Sequence, residues 1–242
     1  MFSSFVEFIL PARPRGGNAA RGTPDRTSSR LPVYSTKTMK AFIAAATALA
    51  LLPRIAWAHH FMGGGLPETL AQGLLSGLGH PVIGLDHAAF IVAAGFFLAS
   101  IEGGMWGVLA LIGGSLIGAA LHLAGFGLPG AEIGVALSVI LIGGLVMIRR
   151  EVKLFWLAGG LALAGVLHGY AYAESIFGAE AAPLAAYLIG FSLVQLGVAT
   201  AALLIHRRLI AAREAWARLA SSGIGAAVGT IGAVFLVINI AA

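Results

Sequence analysis

Long apolar runs separated by short polar segments recur along the chain from residue 81 onward. Each run has about the 17 to 25 residues that a helix needs to cross a bilayer. In chain order the runs occupy residues 81–100, 104–125, 130–148, 154–170, 184–205 and 223–240. The pattern predicts an all-α membrane protein in which residues 80–242 form a bundle of six transmembrane helices.

The segment that precedes the first run is predicted to lie on the outer side of the membrane. A weaker apolar stretch at residues 66–78 is expected to lie along the membrane interface or to re-enter the membrane. We place this stretch in an outer N-terminal segment formed by residues 59–79.

The N-terminal residues have the pattern of a secretory signal. A Met-Lys pair, a short apolar run and the sequence Ala-Trp-Ala follow one another within residues 39–58. We expect this signal peptide to be cleaved, because the apolar run is too short for a retained anchor. Residues 1–38 are rich in Arg, Pro, Ser and Gly, and they are expected to be disordered or to precede a true start at Met39.

Composition and charge support a bilayer location. The chain is 59% apolar and 10% charged, which is too apolar for one water-soluble core. Eight of its fifteen Lys and Arg residues precede His59, and the remainder holds seven basic and eight acidic residues. Nucleic acid is therefore not an expected partner. The lack of cysteine excludes disulfides and thiolate ligands.

Basic residues from His59 onward are confined to the segments after the third and fifth runs. They are Arg149, Arg150, Lys153, Arg207, Arg208, Arg213 and Arg218. These two segments share one face of a six-helix protein, and the positive-inside rule makes that face cytoplasmic. The mature N-terminus is then outside, as cleavage of a signal peptide also requires.

Ionisable side chains inside the predicted spans gather at the outer ends of those spans. Such residues are costly in a membrane and usually have a function. The first run opens with His80, Asp86 and His87, and Pro81 is expected in the first helical turn. On one continuous helix, His80, Gly84 and His87 would share a face, which predicts a metal site.

Further candidate ligands are expected at the same outer face. They are His122, Glu132, His168 and Glu174 on or beside the other spans, with His59 and His60 at the mature N-terminus. Imidazole and carboxylate groups together suit nickel, cobalt, copper or zinc better than magnesium or calcium.

Several residues have a structural interpretation instead. His122 taken alone is more often structural, His206 is interpreted as interfacial, and Tyr170 and Tyr172 are expected in an aromatic belt. The abundant glycines are expected to pack helices closely. Polar residues deeper in the spans are expected to form helix–helix hydrogen bonds, and these are Ser115, Ser138, Ser192 and Gln195.

The chain also resembles the HupE/UreJ family of nickel and cobalt permeases, the accessory membrane proteins of hydrogenase and urease systems. The resemblance rests on the leader, on S-G-L-G-H-P-V-I-G-L-D-H at residues 76–87 and on H-G-Y-A-Y-A-E at residues 168–174. It implies a six-helix permease for Ni²⁺ or Co²⁺ in the bacterial inner membrane. The key residues that it implies are His80, Asp86, His87, His168 and Glu174.

Three functions are weighed on this basis. The first is uptake of nickel or cobalt, without a resident cofactor. The second is an accessory or assembly factor that binds the metal without transporting it. The third, a metal-dependent enzyme, is disfavoured because H-E-x-x-H and G-x-S-x-G motifs are absent, and ATP hydrolysis because no phosphate-binding loop motif exists. Oligomeric state stays open, a homo-oligomer included.

Overall fold

The computed structural model describes residues 65–149 and 152–241, so the predicted extension, the predicted signal peptide, His59 and His60 lie outside the described residues. The described residues form seven helices and no strand, which confirms the all-α class. The helices are α1 (Leu70–Ile83), α2 (Leu85–Leu98), α3 (Gly104–Leu123), α4 (Ala131–Ile148), α5 (Leu154–Glu174), α6 (Ala181–Ala212) and α7 (Glu214–Ala241).

Five of these helices, α3 to α7, are long and apolar enough to cross a membrane. The pair α1 and α2 adds a sixth candidate span if the two helices together form one. The multi-pass character predicted from the apolar runs is thereby confirmed. Helices α6 and α7 are longer than the runs because both continue into charged residues, where Arg207, Arg208 and Arg218 lie on helices rather than in a loop.

The first predicted span is not one continuous helix. Pro81 lies inside α1, near its end, and α1 meets α2 at an angle of 77°. Proline cannot donate a backbone hydrogen bond, and Gly84 adopts an extended backbone that ends the helix. The predictions that Pro81 begins the span and that His80, Gly84 and His87 share one helix face are therefore wrong.

The bent pair follows α6 along its length. The close approaches occur in the same order on both sides: Gly73 against Pro183, Gly77 against Tyr187 and Gly95 against Ala199. Near the end of α6, the Arg207 guanidinium donates to the carbonyls of Ala99 and Ile101 just beyond α2. Helices α1 and α2 thus run successively in the direction of α6, which fits one broken span.

Glycine positions bring α3 and α5 into backbone contact. A Cβ atom at Gly114 or Gly118 of α3 would overlap carbonyl oxygens of α5, and one at Gly165 or Gly169 of α5 would overlap those of α3. Close approach without side chains is the usual basis of helix association in membranes. The prediction that most of the glycines pack helices is confirmed here, while Gly113, Gly144, Gly159 and Gly160 face open space.

His206 is buried between α2, α6 and α7, directly before Arg207 of α6. Its ring stacks on Phe96 with centroids 4.1 Å apart, and Nδ1 lies 2.6 Å from the Phe96 carbonyl oxygen. Its Nε2 lies 3.2 Å from the Ser221 hydroxyl. Both ring nitrogens therefore have structural partners.

The two ends of the bundle differ in chemistry. We call the end where α3 and α5 finish and α4 and α6 begin the histidine end. The opposite end, where α4 and α6 finish, is the arginine end, and every Lys and Arg of the described residues lies near it.

Candidate metal centre

Three histidines from separate helices meet inside the bundle near the histidine end. His87 of α2 and His168 of α5 approach each other with their Nδ1 atoms 2.7 Å apart. His80 of α1 lies with its ring centroid 6.2 Å from that of His87. All three side chains are buried. The break at Gly84, rather than a common helix face, sets His80 beside His87.

The hydrogen bonds of His168 indicate which of its nitrogens carries a proton. Its Nε2 lies 2.9 Å from the Ser138 hydroxyl, and that hydroxyl donates its single proton to the Val135 carbonyl 2.7 Å away. Ser138 must then accept from Nε2–H, which leaves a lone pair on Nδ1 of a neutral ring. We infer that His87 donates its Nδ1 proton to His168.

A second serine orients His80 in the same way. The Ser175 hydroxyl lies 3.0 Å from Nδ1 of His80 and donates to the Tyr172 carbonyl at 3.0 Å. The Ser175 hydroxyl thus holds the His80 ring in position through Nδ1. Partners that fix the tautomer and orientation of imidazole are typical of histidines that bind metals. Tyr187 supports this arrangement by donating to the same carbonyl at 2.7 Å.

Tyr172 lies among the three histidines, and the aromatic-belt prediction is wrong for it. Its ring centroid is 4.6 Å from that of His87 and 5.3 Å from that of His80. The side chain is fully buried, and its hydroxyl has no hydrogen-bond partner among the described residues. Tyr170 is buried too, and its hydroxyl accepts from the Leu128 amide at 3.0 Å.

Carboxylates surround the same end of the bundle. Asp86 is buried in the first turn of α2, where its carboxylate accepts from the His87 amide at 2.9 Å. Such a position is favourable because the helix N-terminus carries partial positive charge. Glu132, at the start of α4, interacts electrostatically with both Asp86 and Glu174. Like charges repel one another, and a divalent cation bound among these carboxylates would relieve that repulsion.

The remaining candidate, His122, lies at the histidine end in a different environment. Its ring packs edge-on against Tyr170 and Phe177, with centroids 4.5 Å and 5.5 Å away. Its Nδ1 is buried and has no hydrogen-bond partner among the described residues. His122 stays a predicted ligand rather than a member of the three-histidine cluster.

The cluster as it stands is closed. Within residues 65–149 and 152–241, no three His, Asp or Glu side chains are arranged to hold a metal ion. The direct bond between His87 and His168 occupies the Nδ1 atoms of both rings. Metal binding by His168 through Nδ1 would require this bond to open.

Two residues that orient His80, namely Ser175 and Tyr187, were not predicted from the sequence. Ser138 was considered only as a source of helix–helix hydrogen bonds, and its bond to His168 is of that kind. Ser175 and Tyr187, which orient His80, were not singled out. Only their positions in the sequence could have indicated these two residues. Ser175 directly follows Glu174, and Tyr187 lies in the second turn of the next helix.

Comparisons with known proteins relate the chain to one family. A sequence model described as HupE / UreJ protein matches residues 47–235. Protein HupE of Rhizobium leguminosarum bv. viciae is 32% identical over 127 residues, which cover 50% of this chain and 61% of that protein. The match thus spans about three-fifths of the relative's length. No solved structure matches the chain. Because the family model covers most of its length, the chain belongs to the HupE/UreJ family.

Proposed function

We propose that this protein is a permease that takes up Ni²⁺ or Co²⁺ across the bacterial inner membrane. The observation that carries the proposal is the buried cluster of His80, His87 and His168, with Asp86 buried next to His87 in the first turn of α2. Imidazole with carboxylate is a ligand set for borderline transition metals. Ionisable residues at such depth in a membrane protein usually mark a transport path or a substrate site.

We further propose six spans, with the pair α1 and α2 as the first. The arginine end is then cytoplasmic by the positive-inside rule, and the histidine end faces outward with the mature N-terminus. The absence of Lys and Arg near the histidine end supports this orientation within the described residues. An outward acidic surface also raises the local concentration of cations.

In the proposed mechanism, hydrated metal first meets the carboxylates of Glu132, Glu174 and Asp86. His122, and His59 and His60 from outside the described residues, are proposed to assist in capture. The metal then exchanges water for imidazole as the bond between His87 and His168 opens. Ser138 and Ser175 hold the rings of His168 and His80 in position. Imidazole and carboxylate ligands accept both nickel and cobalt.

Reconstitution separates transport from binding alone. Purified protein in liposomes is expected to admit nickel or cobalt when the interior is held negative, because the potential contributes about 2.3 kcal/mol per charge for each 100 mV. The measurement is the initial rate of radioactive metal influx, with protein-free liposomes as control. Metal binding without influx would contradict the permease and favour the accessory or assembly factor.

A further inference from the structure

The Tyr172 hydroxyl differs from those of the other two buried tyrosines. Tyr170 accepts a hydrogen bond from the Leu128 amide, and Tyr187 donates one to the Tyr172 carbonyl. The Tyr172 side chain is fully buried, yet its hydroxyl has no hydrogen-bond partner among the described residues. A buried hydroxyl without a partner is destabilising, so its presence at this position needs a physical reason.

The position of Tyr172 connects this hydroxyl with the metal centre. The Tyr172 ring centroid lies 4.6 Å from that of His87, 5.3 Å from that of His80 and 6.4 Å from that of His168. Its hydroxyl also interacts electrostatically with the Asp86 carboxylate. Of the rings described around His87, Tyr172 is the nearest, and it carries an oxygen atom that can accept a hydrogen bond.

Metal binding removes a hydrogen-bond acceptor from His87. In the closed cluster, His87 donates its Nδ1 proton to the Nδ1 lone pair of His168, 2.7 Å away. A metal ion bound to His168 through Nδ1 occupies that same lone pair. The His87 N–H group then loses His168 as its acceptor inside the bundle, and leaving such a donor unsatisfied is costly. The open cluster therefore needs a new acceptor next to His87.

We propose that the Tyr172 hydroxyl accepts the Nδ1 proton of His87 in the metal-bound state and thereby stabilises the open cluster. This inference rests on the proposed permease function and deepens it, because it names a residue that controls opening of the site. Tyr172 is a positioning residue that acts through His87 and does not bind the metal. Opening exchanges the bond between His87 and His168 for one between His87 and Tyr172, so the hydroxyl gains the partner that it lacks in the closed cluster.

The first test is Tyr172→Phe, which keeps the ring and removes the oxygen. Calorimetric titration of the purified, full-length protein with nickel is expected to show an affinity lowered by about tenfold to a hundredfold, the usual effect of losing a residue that orients a ligand. The thermal midpoint of the metal-free protein is expected to be unchanged or raised, because no hydrogen bond of the closed cluster is lost. A purely structural hydroxyl would not weaken nickel binding in this way.

Tyr170→Phe is the matched control on the same helix. It makes the same chemical change two residues away, but it removes a hydroxyl that accepts from the Leu128 amide. The thermal midpoint is expected to fall by about 2–4 °C, and the nickel affinity should equal that of the unaltered protein. The two substitutions thus have opposite patterns of effect on stability and on metal binding.

Infrared difference spectroscopy supplies a test that needs no substitution at Tyr172. In unaltered protein with ring-labelled tyrosine, addition of nickel is expected to shift a tyrosine C–O band as the hydroxyl gains a partner. The same shift should occur in Tyr170→Phe and be lost in Tyr172→Phe. If Tyr172→Phe does not fold, the spectra of the unaltered protein and of Tyr170→Phe decide.

The outcomes separate this inference from the function on which it rests. Unaltered nickel affinity in Tyr172→Phe would overturn the role of Tyr172 and leave the permease intact. Loss of affinity together with a lowered midpoint would assign the hydroxyl a packing role and also overturn it, as would the absence of any nickel-dependent tyrosine band. Absence of nickel binding by the unaltered protein would overturn the metal centre and this inference together.

Discussion

Replacing His87 with alanine is expected to reduce nickel accumulation by cells to the background of cells without the protein. The substitution removes an imidazole that contacts His168 directly and lies next to His80 and Tyr172. Loss of residues that only orient a metal ligand already lowers metal affinity by about tenfold to a hundredfold. Loss of the ligand itself should lower metal affinity by more than this. Accumulation is measured with radioactive nickel at matched amounts of membrane-inserted protein.

A histidine at the other end of the bundle provides the control. His206→Gln keeps a donor for the Phe96 carbonyl and lies at the arginine end, so accumulation should be unchanged. Accumulation by His87→Ala at the level of the unaltered protein would remove His87 from the site. A loss of accumulation in both variants would indicate a general effect of altering buried histidines.

The second large effect is expected in stability, from Gly114→Val in the contact between α3 and α5. A Cβ atom there would overlap the Ala162 carbonyl, so the two backbones must move apart. Overpacking of this kind lowers the free energy of unfolding by about 1–3 kcal/mol. We expect a loss near the upper end of this range, because backbone atoms rather than a side chain must move. The measurement is the midpoint of thermal unfolding of the purified protein in detergent.

The neighbouring glycine is the matched control for this substitution. Gly113 lies on the same helix and has nothing within 4 Å of an added Cβ atom. Gly113→Val should therefore unfold close to the midpoint of the unaltered protein. Equal destabilisation by the two substitutions would mean that helix propensity, rather than contact with α5, controls stability at these positions.

The sequence could predict the long helices because the thickness of a bilayer limits their length. The ends of α3 and α4 lie within two residues of the predicted runs. The hydropathy of a segment does not depend on the direction or bending of its helix. The apolar runs therefore could not predict the break before α2. Pro81 is compatible with the first turn of one helix or with the last turn of another, and only packing against α6 decides between them.

The sequence predicted which histidines belong to the candidate site, but it did not predict how they contact one another. His80, His87 and His168 were singled out by charge and polarity within apolar runs, which a single sequence reveals directly. Their contact depends on the bend at Gly84 and on the glycine contacts that set α5 against α3. The spacing of residues along the sequence does not predict distances between side chains on different helices. The location of Tyr172 was predicted wrongly because burial, rather than position along the chain, distinguishes a belt residue from an interior one.

X-ray absorption spectroscopy of the purified, nickel-loaded protein tests the central claim most directly, because it reports the atoms bound to the metal. The histidine cluster predicts the signature of imidazole ligands, reduced in His87→Ala and in His168→Ala. A shell of oxygen ligands alone, or an imidazole signature that neither substitution changes, would contradict the assignment of the metal site to this cluster.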